Sequence, residues 1–263
     1  MDSSGRKDVV ITSVVAGLVI GVILGSLGGG GAILSLPVLV FALGLAPHDA
    51  ASASLVIVGI TSAIALVEHA RAGRVHWRDG LVFGVVGAVG TVFGTTLARR
   101  VDGHTLLLAF AGLLLVVAAV LWRRASAAAR PEGQAPPALA ANRAASIMGA
   151  ATAVGLLTGF FGVGGGFAVV PALVIALGFT MREAVATSLL VLTLNTASAL
   201  VARAFGDGLA LDWSVIAPFT VATVLGSFVG ARLGPRLPDR LLQRSFAILL
   251  VGVGVYTAWQ SLT

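Results

Sequence analysis

Two runs of glycine, each followed by a proline, are the features of this chain that most directly suggest a binding site. They read Gly28-Gly29-Gly30-Gly31 with Pro37, and Gly162-Val163-Gly164-Gly165-Gly166 with Pro171. A helical glycine costs about 1 kcal/mol relative to alanine, so contiguous glycines predict a broken helix. A helix that begins at such a break offers unpaired N–H groups and a positive dipole end, which bind anions. We therefore predict a small-anion site lined by Gly28, Gly29, Gly30, Gly31, Gly162, Gly164, Gly165 and Gly166.

Close helix packing is the alternative role for glycine in this chain. Gly17, Gly21 and Gly25 recur every four residues, a spacing that lets two membrane helices approach closely. The same spacing separates Gly80 from Gly84, Gly90 from Gly94, and Gly226 from Gly230. We assign these regularly spaced glycines to packing and the contiguous clusters to the substrate site.

Small polar side chains follow each cluster on the next apolar segment. They are Ser52, Ser54, Thr61 and Ser62 in the first case, and Thr187, Ser188, Asn195 and Thr196 in the second. Their hydroxyl and amide groups could donate hydrogen bonds to an oxyanion, and we place Ser54, Thr61, Ser188 and Asn195 in the site. The alternative is that they bond to backbone carbonyls or between helices.

Ionisable side chains are scarce inside the apolar segments. Glu68 and His69 close one segment, and Arg203 closes the corresponding one. Glu68 and His69 could carry a coupling proton; the alternative is a position at the membrane interface. The four His lack metal-ligand spacing, and no nucleophile stands at an evident spacing from a base. We expect no metal, no cofactor and no catalytic residue, so the chain is not predicted to be an enzyme.

The composition indicates a membrane protein. Of 263 residues, 57% are hydrophobic and 11% are charged, and the mean hydropathy is +1.02. Soluble domains carry about 25% charged residues. Several uncharged runs approach the roughly 20 residues that a spanning helix needs. The net charge of +6 lies mostly in Arg residues at segment ends, which fits positive-inside topology and lipid contact rather than nucleic-acid binding.

An internal repeat organises these segments. Placing Pro37 over Pro171 also aligns the glycine clusters and the pair Ser54-Leu55 with Ser188-Leu189. A slightly longer offset aligns Trp77 with Trp213 and Phe110 with Phe246. We predict an all-α bundle of roughly 8–10 membrane segments from two homologous repeats with Gly-broken first helices. Residues 1–122 form the first repeat, 123–143 an extramembrane linker rich in Pro and Arg, and 144–263 the second.

The number of crossings has two alternatives. Four crossings per repeat would place ten Arg and Lys on one side of the membrane and seven on the other. An odd number, with each broken helix folded as a hairpin, gives twelve against five and inverts one repeat relative to the other. The second count has the stronger positive-inside bias, with the linker inside and the N-terminus outside. We favour it.

The duplicated pattern resembles the TauE/SafE family of sulfite-exporter-like permeases. Gly25 through Pro37 and Ala50 to Leu55 carry the resemblance in the first half; Thr158 through Pro171 and Ala184 to Leu189 carry it in the second. The resemblance implies a multi-pass transporter of the bacterial inner membrane. It also implies sulfur-containing anions, such as sulfite and organosulfonates, as substrates.

These observations predict a secondary transporter, an exporter, of small anions by alternating access at a central site formed by both glycine breaks. A passive anion channel and a membrane-embedded partner subunit are the alternatives. The expected partners are the anion and the lipid bilayer, with a homo-oligomer left open.

Overall fold

The chain folds as a bundle of helices. The computed structural model describes residues 3–28, 30–126, 143–162, 166–205 and 211–262. In this part of the chain there are ten α-helices and no strand. They are α1 (Ser3–Leu27), α2 (Gly30–Pro37), α3 (Pro47–Arg71), α4 (Trp77–Ala98), α5 (Gly103–Ser126), α6 (Arg143–Phe161), α7 (Gly166–Ala172), α8 (Met181–Ala204), α9 (Trp213–Leu233) and α10 (Asp239–Leu262). The prediction of an all-α polytopic bundle is confirmed.

Several helices are built to contact lipid. Helices α3, α4, α8 and α9, and the Gly103–Arg123 part of α5, are long and apolar enough to cross a membrane. Large apolar side chains such as Phe93 face outward, where lipid replaces a protein core. All four tryptophans lie exposed at helix ends, the positions of an aromatic belt: Trp77, Trp122, Trp213 and Trp259.

The most extensive helix contacts join the first half of the sequence to the second. Helix α1 packs on α9, and α4 packs on α6 in the same manner. A Cβ added to Gly21 would overlap the carbonyl oxygen of Thr223, and one added to Gly155 would overlap that of Gly87. Gly226 and Gly230 meet α1 as closely from the other side. The packing role predicted for the regularly spaced glycines is confirmed.

Helices α3 and α8 form the centre and run antiparallel. Ser52, near the start of α3, contacts Arg203 at the end of α8. Halfway along, Gly59 lies against Thr196. Ala70, near the end of α3, packs against the cluster of Val75, Ala186 and Leu190, of which Ala186 lies near the start of α8.

The relative direction of α3 and α8 distinguishes the two predicted topologies. They occupy equivalent places in the helix order, and so do α5 and α10, which are also antiparallel because His104 contacts Ser261 and Leu115 contacts Gly254. Four crossings per half would make such pairs parallel. The helix directions therefore agree with the hairpin topology, in which α2 runs back against α1 so that α1 and α3 end on the same side.

The starts of α3 and α8 differ from each other. Thr180 caps α8: its hydroxyl accepts the N–H of Glu183, whose carboxylate accepts the Thr180 N–H in return at 2.9 Å. Asp49 does not cap α3 in the same way. Pro47, which has no N–H to leave unpaired, opens the helix earlier, so Asp49 lies inside the first turn.

The short second helix of each half ends in a distorted turn. Pro37 closes α2 and Pro171 lies near the end of α7. Proline cannot donate the backbone hydrogen bond that a regular α-helix requires. Both helices continue as wider π-helical turns, Val38–Ala42 and Leu173–Leu177.

Candidate functional site

A positively charged cavity opens at the ends of α3 and α9. Its volume is about 520 Å³, and its lining includes Arg71, Arg74, Arg232 and Arg236 together with Glu68 and His69. We call these six residues the arginine vestibule. Glu68 is the one carboxylate among its described lining residues. A cavity with this excess of positive charge raises the local concentration of anions.

A narrower cavity continues from the vestibule into the protein. His69 and Arg74 line both cavities, so the two adjoin. The narrow one also touches Ser26 at the end of α1 and Val185 on α8, and it has room for about one water molecule. The path therefore constricts where α1 ends.

The first glycine break lies at this constriction. Gly28 has φ +63°, a left-handed conformation that favours glycine. A Cβ there would lie 2.7 Å from the Ser188 hydroxyl and 3.1 Å from Cα of Val185, the residue that lines the narrow cavity. After Gly28, α2 begins at Gly30 and runs away from the vestibule. Its positive dipole end therefore lies toward the vestibule.

The second glycine break has the same geometry on the other half. Gly162 has φ +67°, and a Cβ there would lie 2.5 Å from Cβ of Ala51 on α3. Each break thus packs on the central helix of the opposite half. Helix α7 begins beyond the second break at Gly166.

The two breaks lie near opposite ends of the central helix pair. Gly28 packs on Val185 near the start of α8, at the level of Ala70 near the end of α3. Gly162 packs on Ala51 near the start of α3. Ala51 and Ala70 are separated by about 28 Å of helix rise. Each break is therefore roughly 14 Å from the midpoint of the central helix pair, which is close to half the roughly 30 Å thickness of a hydrocarbon core. One small ion cannot touch Gly28 and Gly162 together.

Buried polar groups without partners occupy the region between the breaks. Thr61 and Asn195 lie near the Gly59–Thr196 crossing, and both are fully buried. Neither the Thr61 hydroxyl nor either polar atom of the Asn195 amide has a hydrogen-bond partner among the described residues. The Asn195 amide lies against Gly87 of α4. Unpaired buried polar groups are rare in proteins and indicate a site for a polar ligand or water.

The serines predicted for the site differ in the same respect. Ser54 is fully buried and unpaired in the described structure, and Ser35 on α2 is another such hydroxyl, which sequence analysis did not select. Ser188 instead donates a 2.8 Å hydrogen bond to the Val185 carbonyl, as the back-bonded alternative describes. Ser54, Thr61 and Asn195 thus have capacity for a ligand that Ser188 lacks.

The remaining predicted residues fall into two groups. Glu68 and His69 line the vestibule. Gly31 follows Gly30 in the first turn of α2, while Gly29, Gly164 and Gly165 lie outside the described residues. The vestibule arginines were not predicted as a site, because Arg232 and Arg236 reach Arg71 and Arg74 only through the packing of α9 near α3. Their common position at helix ends was the available signal.

Comparison with known proteins agrees with this architecture. The family described as Sulfite exporter TauE/SafE matches residues 13–257. The chain belongs to the TauE/SafE family. It is a multi-pass membrane transporter, as the helices and the family together indicate. No solved structure matches this TauE/SafE chain.

Curated relatives of this TauE/SafE chain come from bacteria and an archaeon. A probable membrane transporter protein of Xylella fastidiosa is 34% identical over 254 residues, or 95% of each chain. The probable membrane transporter protein YdhB of Bacillus subtilis is 28% identical, covering 85% of this chain and 90% of its own. One from Methanocaldococcus jannaschii is 24% identical, covering 91% and 90%. These names state transport and no substrate.

Proposed function

We propose that this chain is a secondary transporter that exports small anions, sulfur oxyanions such as sulfite and organosulfonates, from the cytoplasm. The observation that carries the proposal is the arginine vestibule and its constriction at the Gly28 break. The fixed charges attract anions, and the start of α2 offers them a positive dipole end. The family description supports sulfite and related anions as the substrate class.

The separation of the breaks revises how the site would work. The Gly28 and Gly162 breaks act as two gates, each closed against the central helix of the opposite half. Between them, Ser54, Thr61 and Asn195 would replace part of the hydration shell of the anion. Rocking of one half against the other opens one gate while the other stays closed, which is alternating access.

The side of the membrane follows from charge. The hairpin topology assigns twelve Arg, those of the vestibule among them, to one side and five Arg and Lys to the other. The positive-inside rule places the vestibule in the cytoplasm, where it would collect anions for export. Glu68 and His69 line this vestibule and are the candidates for a coupling proton.

Transport by purified protein in liposomes tests the proposal. Liposomes loaded with unlabelled sulfoacetate should accumulate labelled sulfoacetate above its external concentration, because counterflow is a property of carriers. A passive channel would only equilibrate the label, and a partner subunit would move none. Failure of sulfite, sulfoacetate and simple alkylsulfonates to move at all would contradict the proposed function.

Replacing Arg74 tests the vestibule most directly, because Arg74 lines both cavities. We expect Arg74→Gln to lower sulfoacetate flux about tenfold at low salt, and less at high salt, where the charge is screened. Arg78→Gln is the matched control: Arg78 is exposed on α4 at the same side of the membrane but outside the vestibule. Equal flux in the two variants would remove the vestibule from the pathway.

A further inference from the structure

A half-buried arginine lies beside the second gate, and two of its guanidinium nitrogens are buried. Arg203, near the end of α8, donates from Nη1 to the Ser52 hydroxyl at 3.1 Å. Its Nε and Nη2 atoms are buried and have no hydrogen-bond partner in the part of the chain that the structure describes. Three of the five N–H donors of the guanidinium are therefore without an acceptor.

The surroundings add positive charge rather than neutralise it. Arg99, at the end of α4, donates to the carbonyl of Ala202, next to Arg203, at 3.0 Å. Within the described residues no carboxylate forms an ion pair with Arg203, and Asp49 of α3 is exposed. The carboxylate closest in sequence, Asp207, lies outside the described residues, so the experiment below includes it.

The position connects this arginine to the Gly162 break. Ser52 follows Ala51, the residue against which Gly162 packs. The repeat places His69 of the first half at the position of Arg203, so each gate has a nitrogen-bearing side chain at the same place. At the vestibule gate that side chain is an imidazole, and at the opposite gate it is a permanent cation.

A partly buried cation without a counter-charge is costly to the fold. An oxyanion would satisfy it, because the planar guanidinium fork matches two oxygens of one anion and forms short, charge-assisted hydrogen bonds. The Ser52 hydroxyl accepts from Arg203 and donates to the His48 carbonyl at 3.2 Å, so it holds the guanidinium in place for such an anion. Sulfite and sulfonates present three such oxygens on one sulfur atom.

We propose that Arg203 and Ser52 form an anion-binding site at the Gly162 gate, which takes the sulfonate or sulfite group of the exported substrate before its release. This inference rests on the proposed function and adds to it a site on the side opposite the vestibule. The phosphate of a lipid headgroup has the same oxyanion chemistry, so the test separates the two sources.

Anion binding by purified protein in lipid-free detergent is the primary test, with sulfoacetate, sulfite, sulfate and phosphate titrated by calorimetry. We expect Arg203→Gln to weaken sulfoacetate binding at least tenfold. Arg203→Lys and Ser52→Ala should each weaken it several-fold, because each removes part of the hydrogen-bond set. Arg100→Gln, an exposed arginine on the same side, should stay within about twofold of the unaltered chain.

Several outcomes would overturn the site. Unchanged affinity in folded Arg203→Gln would do so; if that variant fails to fold, unchanged affinity in both Arg203→Lys and Ser52→Ala is equally decisive. A tenfold gain of affinity in Asp207→Asn would show that the chain neutralises Arg203 itself. If only nanodiscs with phosphatidylglycerol stabilise the protein in an Arg203-dependent way, the ligand is lipid.

Transport measured in parallel separates this inference from the proposed function. Sulfoacetate counterflow that persists unchanged in Arg203→Gln overturns the site and leaves the transporter proposal intact. Arg203-dependent binding of sulfate or phosphate, without transport of any sulfur anion, supports the site and overturns the proposed substrate class.

Discussion

Asn195 and Thr61 show at the residue scale how a polar group can be retained in an apolar helix bundle. Both are fully buried, and their polar atoms have no partner among the described residues. Most neighbouring hydroxyls are satisfied locally: Thr196 donates to the Leu192 carbonyl at 2.7 Å, and Ser62 donates to that of Val58. Packing alone would favour apolar residues at positions 61 and 195, because an unpaired buried polar group costs free energy. Binding of a polar ligand would explain why both residues are polar.

Replacing these residues by apolar ones of similar size separates stability from transport. We expect Asn195→Leu and Thr61→Val to keep or slightly raise the free energy of unfolding, within about 1 kcal/mol, because no hydrogen bond is lost. Sulfoacetate flux should fall about tenfold, since a one-hydrogen-bond loss of about 1.4 kcal/mol has that effect on a rate. Thermal unfolding in detergent and liposome flux are the two measurements.

Thr196→Val is the matched control, because the Thr196 hydroxyl is already bonded to the backbone. It should change flux by less than twofold. Substantial destabilisation of Asn195→Leu with unchanged flux would show that the amide serves the fold, and the central polar layer would then drop out of the mechanism.

At the element scale, glycine determines which helices pair. Gly17, Gly21 and Gly25 bring α1 against α9, and Gly155 and Gly159 bring α6 against α4. The backbones approach so closely that no side chain fits between them. These two pairs join the halves of the chain along the flanks of the central α3–α8 pair.

A single added methyl group should therefore disrupt one of these two helix pairs. We expect Gly155→Ala to lower the stability by about 1–3 kcal/mol, as overpacking usually does, because its Cβ overlaps the Gly87 carbonyl. Gly112→Ala in α5 is the control: nothing lies within 4 Å of the added Cβ, so the change should stabilise by up to about 1 kcal/mol. Equal melting temperatures for the two variants would contradict the packing described for α4 and α6.

At the scale of the whole molecule, equivalent helices run in opposite directions. The two ends of the bundle therefore share the glycine breaks but differ in charge. Each side has one glycine break, yet the vestibule side carries most of the positive charge. The proposed export requires the charged vestibule to face the cytoplasm, whereas the two breaks can share one geometry. Orientation is therefore the decisive global property.

The chain contains no Cys, so single-cysteine labelling can measure its orientation directly. We expect a membrane-impermeant maleimide to label Arg100→Cys and Gln260→Cys in intact spheroplasts. Arg78→Cys and Gln134→Cys should react only after permeabilisation, because the positive-inside rule places that side in the cytoplasm. Labelling of positions 134 and 260 from the same side would contradict the inverted halves.

The amino-acid sequence alone is sufficient to predict the membrane environment, the broken helices and the glycine packing faces. Hydropathy, helix propensity and the four-residue glycine spacing are local properties, so they can be read along the chain. Gly21 and Gly155 needed no knowledge of their partners to be assigned to packing. Thr180 and its capping partner Glu183 are equally local.

Tertiary packing sets the direction of equivalent helices, the separation of the two breaks and the composition of the vestibule. Each depends on contacts between residues far apart in the chain, such as Ser52 with Arg203 or Gly28 with Val185. Arg232 and Arg236 are visible in the sequence, but only the packing of α9 shows that they lie close to His69. Helix direction and register are set by the packing of whole surfaces, which no local propensity encodes.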